Sequence, residues 1–206
     1  MADEARREGA LLICDEVISG FRATFGSVAE KMGVRPDLVM LGKIIGGGMP
    51  IGAVAGPARL MDLLAPVGPV YQAGTLSGNP VSVRAGLETL KILRETNPYS
   101  ILESRTRRLA DGIRDAFAKH RTQGCVNNVS SLLTPFFGPQ RVGNADEAMS
   151  SDRAGYARFF HAMIERGVNL APSQFEAMFV SVAHDDAIID QTLDAARDSL
   201  KSIANG

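Results

Sequence analysis

Two cysteines in 206 residues, Cys14 and Cys125, stand far apart and without CxxC spacing, so neither a disulfide framework nor a structural zinc site is indicated. No apolar run approaches the roughly eighteen residues that a membrane-spanning helix needs. The opening MADEARREGALL lacks the basic-then-apolar order of a signal peptide, and a cytoplasmic chain is expected. A net charge of -1 leaves no basic field for nucleic acid. The three histidines, His120, His161 and His184, have no metal-ligand spacing. There is no GxSxG elbow, and GKIIGGG is neither GxGxxG nor GxxxxGK[ST], because Ile44 follows the lysine. Lysine is scarce too: only Lys31, Lys43, Lys91, Lys119 and Lys201 occur.

The order of elements is legible in what remains. ADEARRE reads as the last turns of a helix that begins before Met1, a first sign of a larger subunit. ALLIC, ending in Asp15-Glu16, has the pattern of a buried parallel strand, and Leu38 to Leu41 repeats it ahead of Gly42-Lys43. A glycine-rich bend leads to a strand over 51–55, a short helix over 58–65 and a loop over 66–80. Pro80 opens a helix to about Glu95, with Val83, Leu87, Leu90 and either Leu93 or Arg94 at helical spacing. Asn97-Pro98 breaks it. An amphipathic helix to about His120 follows, then an apolar segment Leu132 to Phe137 and a helix from Asp152 to Arg166. Short strands over 168–171 and 178–183 and a last helix from Asp185 complete an α+β unit. The boundary is placed near residue 98, giving domains 1–98 and 99–206.

Four lysines lie in helical, charged surroundings. Lys43 alone stands between LVMLG and IIGGG, where burial would disfavour the ammonium form and suit an amine that forms a Schiff base. A lysine at a strand end whose head reaches solvent is an equal reading of that residue alone. Asp15 ends the preceding strand, and two charges leaving a sheet would look the same. Strand ends on one parallel sheet converge on one crevice. A lysine and a carboxylate there are the pair that pyridoxal 5'-phosphate (PLP) chemistry requires: an amine to hold the aldehyde, and an acid to keep the pyridine nitrogen protonated. Thr75, Ser77 and Asn79 in QAGTLSGNP offer donors suited to a phosphate, or form a polar turn into the next helix. Glu176, in APSQFEAMF, is either partly buried or a plain exposed loop carboxylate.

LLICDEVISGFR, PDLVMLGKIIGGGMPIGA, YQAGTLSGNP and RFFHAMIERGVNLAPSQFEA together resemble, in order and spacing, the class III aminotransferases and among them the glutamate-1-semialdehyde aminomutases. The resemblance runs from about Gly9 to about Ala196. It implies an α/β PLP-dependent transferase of fold type I: the later part of a large domain with a mostly parallel sheet, its interdomain helix, and a C-terminal α+β small domain. It also implies a homodimer with a shared active site in tetrapyrrole synthesis, cycling through the pyridoxamine 5'-phosphate form. By the same resemblance Lys43 carries the cofactor and relays protons, Asp15 partners the pyridinium and Val17 packs on the ring. Thr75 reaches the phosphate in the neighbouring subunit, and Glu176 lies near the substrate. Asn128 and Ser130 depart from the family's usual NRVGSMFTLFF, and Asn169 replaces a more usual tyrosine. Nothing matches the first part of the family's subunit, so a fragment is expected. Two other readings stay open: another class III aminotransferase, or a non-catalytic fragment that dimerises or binds a partner.

Overall fold

The apolar runs ending at Asp15 and Gly42 become neighbouring parallel strands. The computed structural model describes residues 2–204 and divides into one unit up to Asn97 and another from Pro98. In the first, helix α1 (Ala2–Arg7) stops at Gly9, whose φ of 69° suits glycine. Strand β1 (Ile13–Glu16), the short helix α2 (Val28–Lys31) and strand β2 (Leu38–Gly42) form a crossover, the connection a parallel pair needs. Ile13 stands opposite Leu38 and Glu16 opposite Leu41. A 3-10 turn over Lys43–Gly46 then reverses the chain into strand β3 (Gly52–Ala55), which pairs antiparallel with β2 and sets Gly42 opposite Gly52. Within this chain the sheet is therefore mixed, in the order β1-β2-β3.

The expected burial of β1 is found only in part: Ile13, like Leu11 just before the strand, is 51 % exposed, because β1 lies at the edge of the sheet, and of its four residues Glu16 alone is buried. Helix α3 (Ala58–Met61) is shorter than expected, since Leu64 is drawn into a bridge with Val70. Helix α4 (Pro80–Thr96) begins as read, with Asn79 as N-cap and Pro80 in the first turn. Its buried face differs. Ser82 and Gly86 are buried while Val83 and Leu87 are exposed, because the helix seats its small residues on the glycine bend. A Cβ at Gly86 would lie 2.2 Å from the Ile45 carbonyl oxygen. Gly86→Ala should therefore destabilise by about 1–3 kcal/mol, overriding the roughly 1 kcal/mol gain in helix propensity. A lowered urea midpoint would show it, and a raised one would mean that the contact is looser.

The second unit comprises α5 (Tyr99–Lys119), β4 (Gly124–Val129), β5 (Leu132–Phe137), α6 (Ala145–Met149), α7 (Arg153–Glu165), β6 (Met178–Phe179) and α8 (Asp186–Ala204). The antiparallel sheet β4-β5-β6 lays Val126, Leu133 and Phe137 against the apolar stripes of α5, α7 and α8, where Phe117, Phe159, Met163, Leu193 and Leu200 close the core. Gly112 admits Leu193 so closely that a Cβ there would meet its Cδ2 at 2.3 Å. Asp152 caps α7 through the Gly155 N–H at 2.9 Å, and Asp185 caps α8 through Ile188 at 2.9 Å.

Strand β4 and helix α6 were not foreseen. GCVNNV carries two asparagines of low strand propensity, and its pairing with β5 imposes the extended form. Conversely, 168–171 is not a strand. The Val168 N–H is spent on the Met163 carbonyl at 2.9 Å, closing the end of α7 around Gly167 with φ 79°. The expected strand over 178–183 shrinks to Met178–Phe179. Ser130 opens the two-residue β4–β5 turn at φ 51°, a position that favours glycine.

Candidate active site

Lys43 sits one residue past the end of β2, in the left-handed region at φ 49°. That conformation costs of order 1 kcal/mol in a residue with a Cβ, and such residues concentrate at functional sites. The side chain is exposed in this chain, the solvent-reaching one of the two readings its position allows. The glycines behind it act as a seat. A Cβ at Gly46 would press on Ile51 Cγ2 at 2.8 Å, and one at Gly47 on the Ala85 carbonyl oxygen at 2.7 Å. The bend is thus wedged between β3 and α4, and the lysine is carried on a supported turn.

Asp15 lies opposite Met40 in the parallel ladder, so its strand ends at the same sheet edge as Lys43's, on a neighbour about 4.8 Å away. It is exposed, and its Oδ1 accepts from the Val17 N–H at 3.0 Å, which sets the carboxylate against its own turn. Val17 packs against Gly42, where an added Cβ would come within 3.2 Å of Val17 Cγ1. Val17, Met40, Leu60, Leu63, Val70 and Leu76 help line an open apolar concavity of about 990 Å³. Thr75 is exposed in the loop before α4. Asn79 is committed elsewhere: its Oδ1 accepts from Val81 and Ser82 N–H groups at 3.0 and 3.2 Å, which leaves that oxygen a helix cap.

Glu16 carries no sequence signal that separates it from Asp15. It is only 3 % exposed. Its oxygens accept from the Val28 N–H at 2.7 Å, the Ala29 N–H at 2.9 Å and the Ser27 hydroxyl. Burial pushes this carboxyl up, but the bonds from Ala29, Ser27, Val28 and Ser19 outweigh it and hold it below its ordinary 4.5. A folded-state value depressed below the unfolded one adds stability that is fully present above the ordinary carboxylate range. It is lost as the pH falls through the depressed value. Hydrogen exchange at the Val28 and Ala29 amides, corrected for intrinsic rates, should therefore show protection that fades on acidification and is already absent in Glu16→Ala. Equal protection at both pH values would contradict the sign.

Glu176 is exposed on the irregular segment 171–177 of the second unit. The segment is tied down at several points: the Glu176 N–H donates to the Ser173 carbonyl at 3.1 Å, and the Glu176 carbonyl accepts from the Thr134 hydroxyl at 3.5 Å. The Tyr156 hydroxyl donates to the Ala171 carbonyl, and the buried Gln174 accepts from the Phe137 N–H at 3.5 Å. Burial, and then the negative charge of Glu176, push the Tyr156 hydroxyl up to about 12, so it remains a donor. Asn128 braces the second unit, since its Oδ1 accepts from Arg114, which also donates to the Val126 carbonyl, at 2.6 and 2.5 Å. Among the described residues no group of His, Cys, Asp and Glu could hold a metal, and no helix is long and apolar enough to cross a membrane.

Residues 1–203 match the family model of class-III aminotransferases. Glutamate-1-semialdehyde 2,1-aminomutases of Persephonella marina and Desulforudis audaxviator are 50 % and 49 % identical over 95 % and 96 % of this chain, which covers 46 % of each. An omega-transaminase from Sphaerobacter thermophilus superposes with a TM-score of 0.85 at 30 % identity, over 100 % of this chain and 47 % of that one. A beta-phenylalanine aminotransferase from Variovorax paradoxus gives 0.86 at 28 % identity, over 97 % and 46 %. The chain spans about half the length of the curated relatives it matches, and its α/β architecture is that of the fold-type I PLP transferases. A lysine and an aspartate at one carbonyl edge of a parallel strand pair, within a match over nearly the whole chain, place it: it belongs to the class-III aminotransferase family.

Proposed function

We propose that this chain is the C-terminal part of a cytoplasmic PLP-dependent aminomutase that converts glutamate 1-semialdehyde to 5-aminolevulinate for tetrapyrrole synthesis. Residues up to 98 would be the later part of its large domain and 99–206 its small domain. The observation that carries the reading is the identity of 48–50 % to four curated aminomutases across 95–96 % of the chain, beside 18–30 % to five solved structures of the same fold.

The residues fit the cofactor. An exposed amine on a supported turn, an exposed carboxylate on the adjoining strand and the apolar Val17 share one sheet edge. When bound, PLP supplies an aldehyde carbon and an electron-accepting ring. Lys43 would be its covalent anchor and the amine that takes and returns protons, its long stem giving Nζ reach from a fixed backbone. Asp15 would hold the ring nitrogen's proton, and Val17 would press on the ring and exclude water. Thr75 would donate to the phosphate held by a partner copy, making a homodimer with a shared site. Glu176 is proposed as a substrate contact on the strength of its SQFE segment alone. The cycle would start from the pyridoxamine 5'-phosphate form.

A subunit completed by fusing this chain behind the N-terminal part of a curated relative should form 5-aminolevulinate from glutamate 1-semialdehyde with no external amine donor or acceptor. A requirement for an external keto acid would make it an ordinary class III aminotransferase instead. The 206-residue chain alone should give no 5-aminolevulinate even with added PLP, because Lys43, Asp15 and the apolar face around Ile13 and Val54 are exposed to water. Product formed by the purified chain and abolished by Lys43→Ala would refute this.

A further inference from the structure

We propose that Glu16 is a positioning residue: clamped by Ser27, Val28 and Ala29, its buried carboxylate fixes the turn that carries Asp15 and Val17 and, through Val17 on Gly42, the placement of Lys43. This rests on the proposed role of Asp15 at the cofactor ring.

Asp15 and Glu16 are consecutive in β1, so their side chains leave opposite faces of the sheet, and anchoring one orients the other. Four donors on two oxygens, the Ser27 and Ser19 side chains and the Val28 and Ala29 N–H groups, fix the rotation of the Glu16 carboxylate as an apolar side chain in the same volume could not. The backbone after it is equally constrained. The Gly20 N–H donates to the Glu16 carbonyl at 2.9 Å, and a Cβ at Gly20 would lie 2.6 Å from Leu41 Cδ2. Residues 16–20 are thereby packed onto β2, and the Asp15 Oδ1 bond to the Val17 N–H falls within that fixed frame. Val17 reaches Gly42, and the next residue is Lys43. Glu16 itself faces away from Asp15's side of the sheet and touches neither proposed cofactor contact. It acts through them.

The test uses the completed subunit loaded with PLP labelled with nitrogen-15 in the ring. Asp15→Asn sets the resonance position of a ring without its acid partner. Glu16→Gln should move the ring-nitrogen resonance part of the way there and lower turnover about tenfold. Ser27→Ala, which removes one donor to Glu16 together with the cap on the Glu30 N–H and keeps the Val28 and Ala29 N–H groups as donors, should shift it in the same direction by less, and it decides the matter if Glu16→Gln does not fold. Asp37→Asn serves as control. Asp37 ties Leu12 and Arg59 at the opposite end of the same strands, so this change should lower the thermal midpoint without moving the resonance. A wild-type resonance in both Glu16→Gln and Ser27→Ala, or an equal shift in Asp37→Asn, would overturn the proposal. An unmoved resonance in Asp15→Asn would instead remove the Asp15 reading, and this proposal with it.

Discussion

Lys43→Ala in a completed subunit is expected to lower turnover by roughly 10³-fold, the scale of losing a positioned general acid–base, while the subunit still folds. The side chain is exposed and buries nothing, so its truncation costs little stability. Borohydride reduction of the unmodified subunit followed by peptide mapping should find the cofactor fixed to Lys43 and to no other lysine. The other four lysines, Lys31, Lys91, Lys119 and Lys201, all lie in helices. A label on one of those alone would end the assignment. Lys43→Gly offers a second check: it removes the amine while relieving the left-handed backbone, so it should be at least as stable as Lys43→Ala and equally inactive.

Asp15→Asn should leave PLP bound and cut turnover by about a hundredfold or more, because an amide cannot hold a proton on the ring nitrogen by charge. The substitution is nearly isosteric, and its oxygen can still accept from the Val17 N–H, so the turn should survive. Loss should therefore fall on kcat with the thermal midpoint within a few degrees of the parent. Near-normal turnover would show that Asp15 does not meet the ring.

The two strand ends were legible because parallel strands advertise themselves: a short apolar run, then a charge. LVMLGK and LLICDE each say where the chain leaves the sheet. What the charge does next is decided by its neighbours. Asp15 and Glu16 are indistinguishable as letters, yet one is open to water and the other closed around by a helix start eleven residues later. That loop closure has no periodic signature; Ser27 as a cap was the one available sign. The stripe on α4 misled for a related reason. Apolar spacing marks a face that can be buried, but the partner chosen here was a backbone with no room for side chains, so Ser82 and Gly86 turned inward. Strand β4 was invisible because its extension is imposed by β5 across the turn at Ser130. Glu176 could be picked out only by likeness: the ties on its segment, from Tyr156, Phe137 and Thr134, come from residues scattered through the second unit.

The turn at Lys43 also sets how its amine can move. Gly42 is laddered to Gly52 on one side, and Gly46 and Gly47 are wedged against Ile51 and Ala85 on the other, so the lysine's peptide plane has no soft direction. Travel of the amine must come from rotation about the four bonds of its stem, which in an exposed side chain proceeds in picoseconds to nanoseconds. The backbone amide of Lys43 should accordingly show a relaxation order parameter near the rigid limit of about 0.85, with the Nζ end far lower until a ligand captures it. Such a group samples its reach many times within one turnover, and proton delivery by it would be limited by chemistry rather than by any slow rearrangement of the main chain.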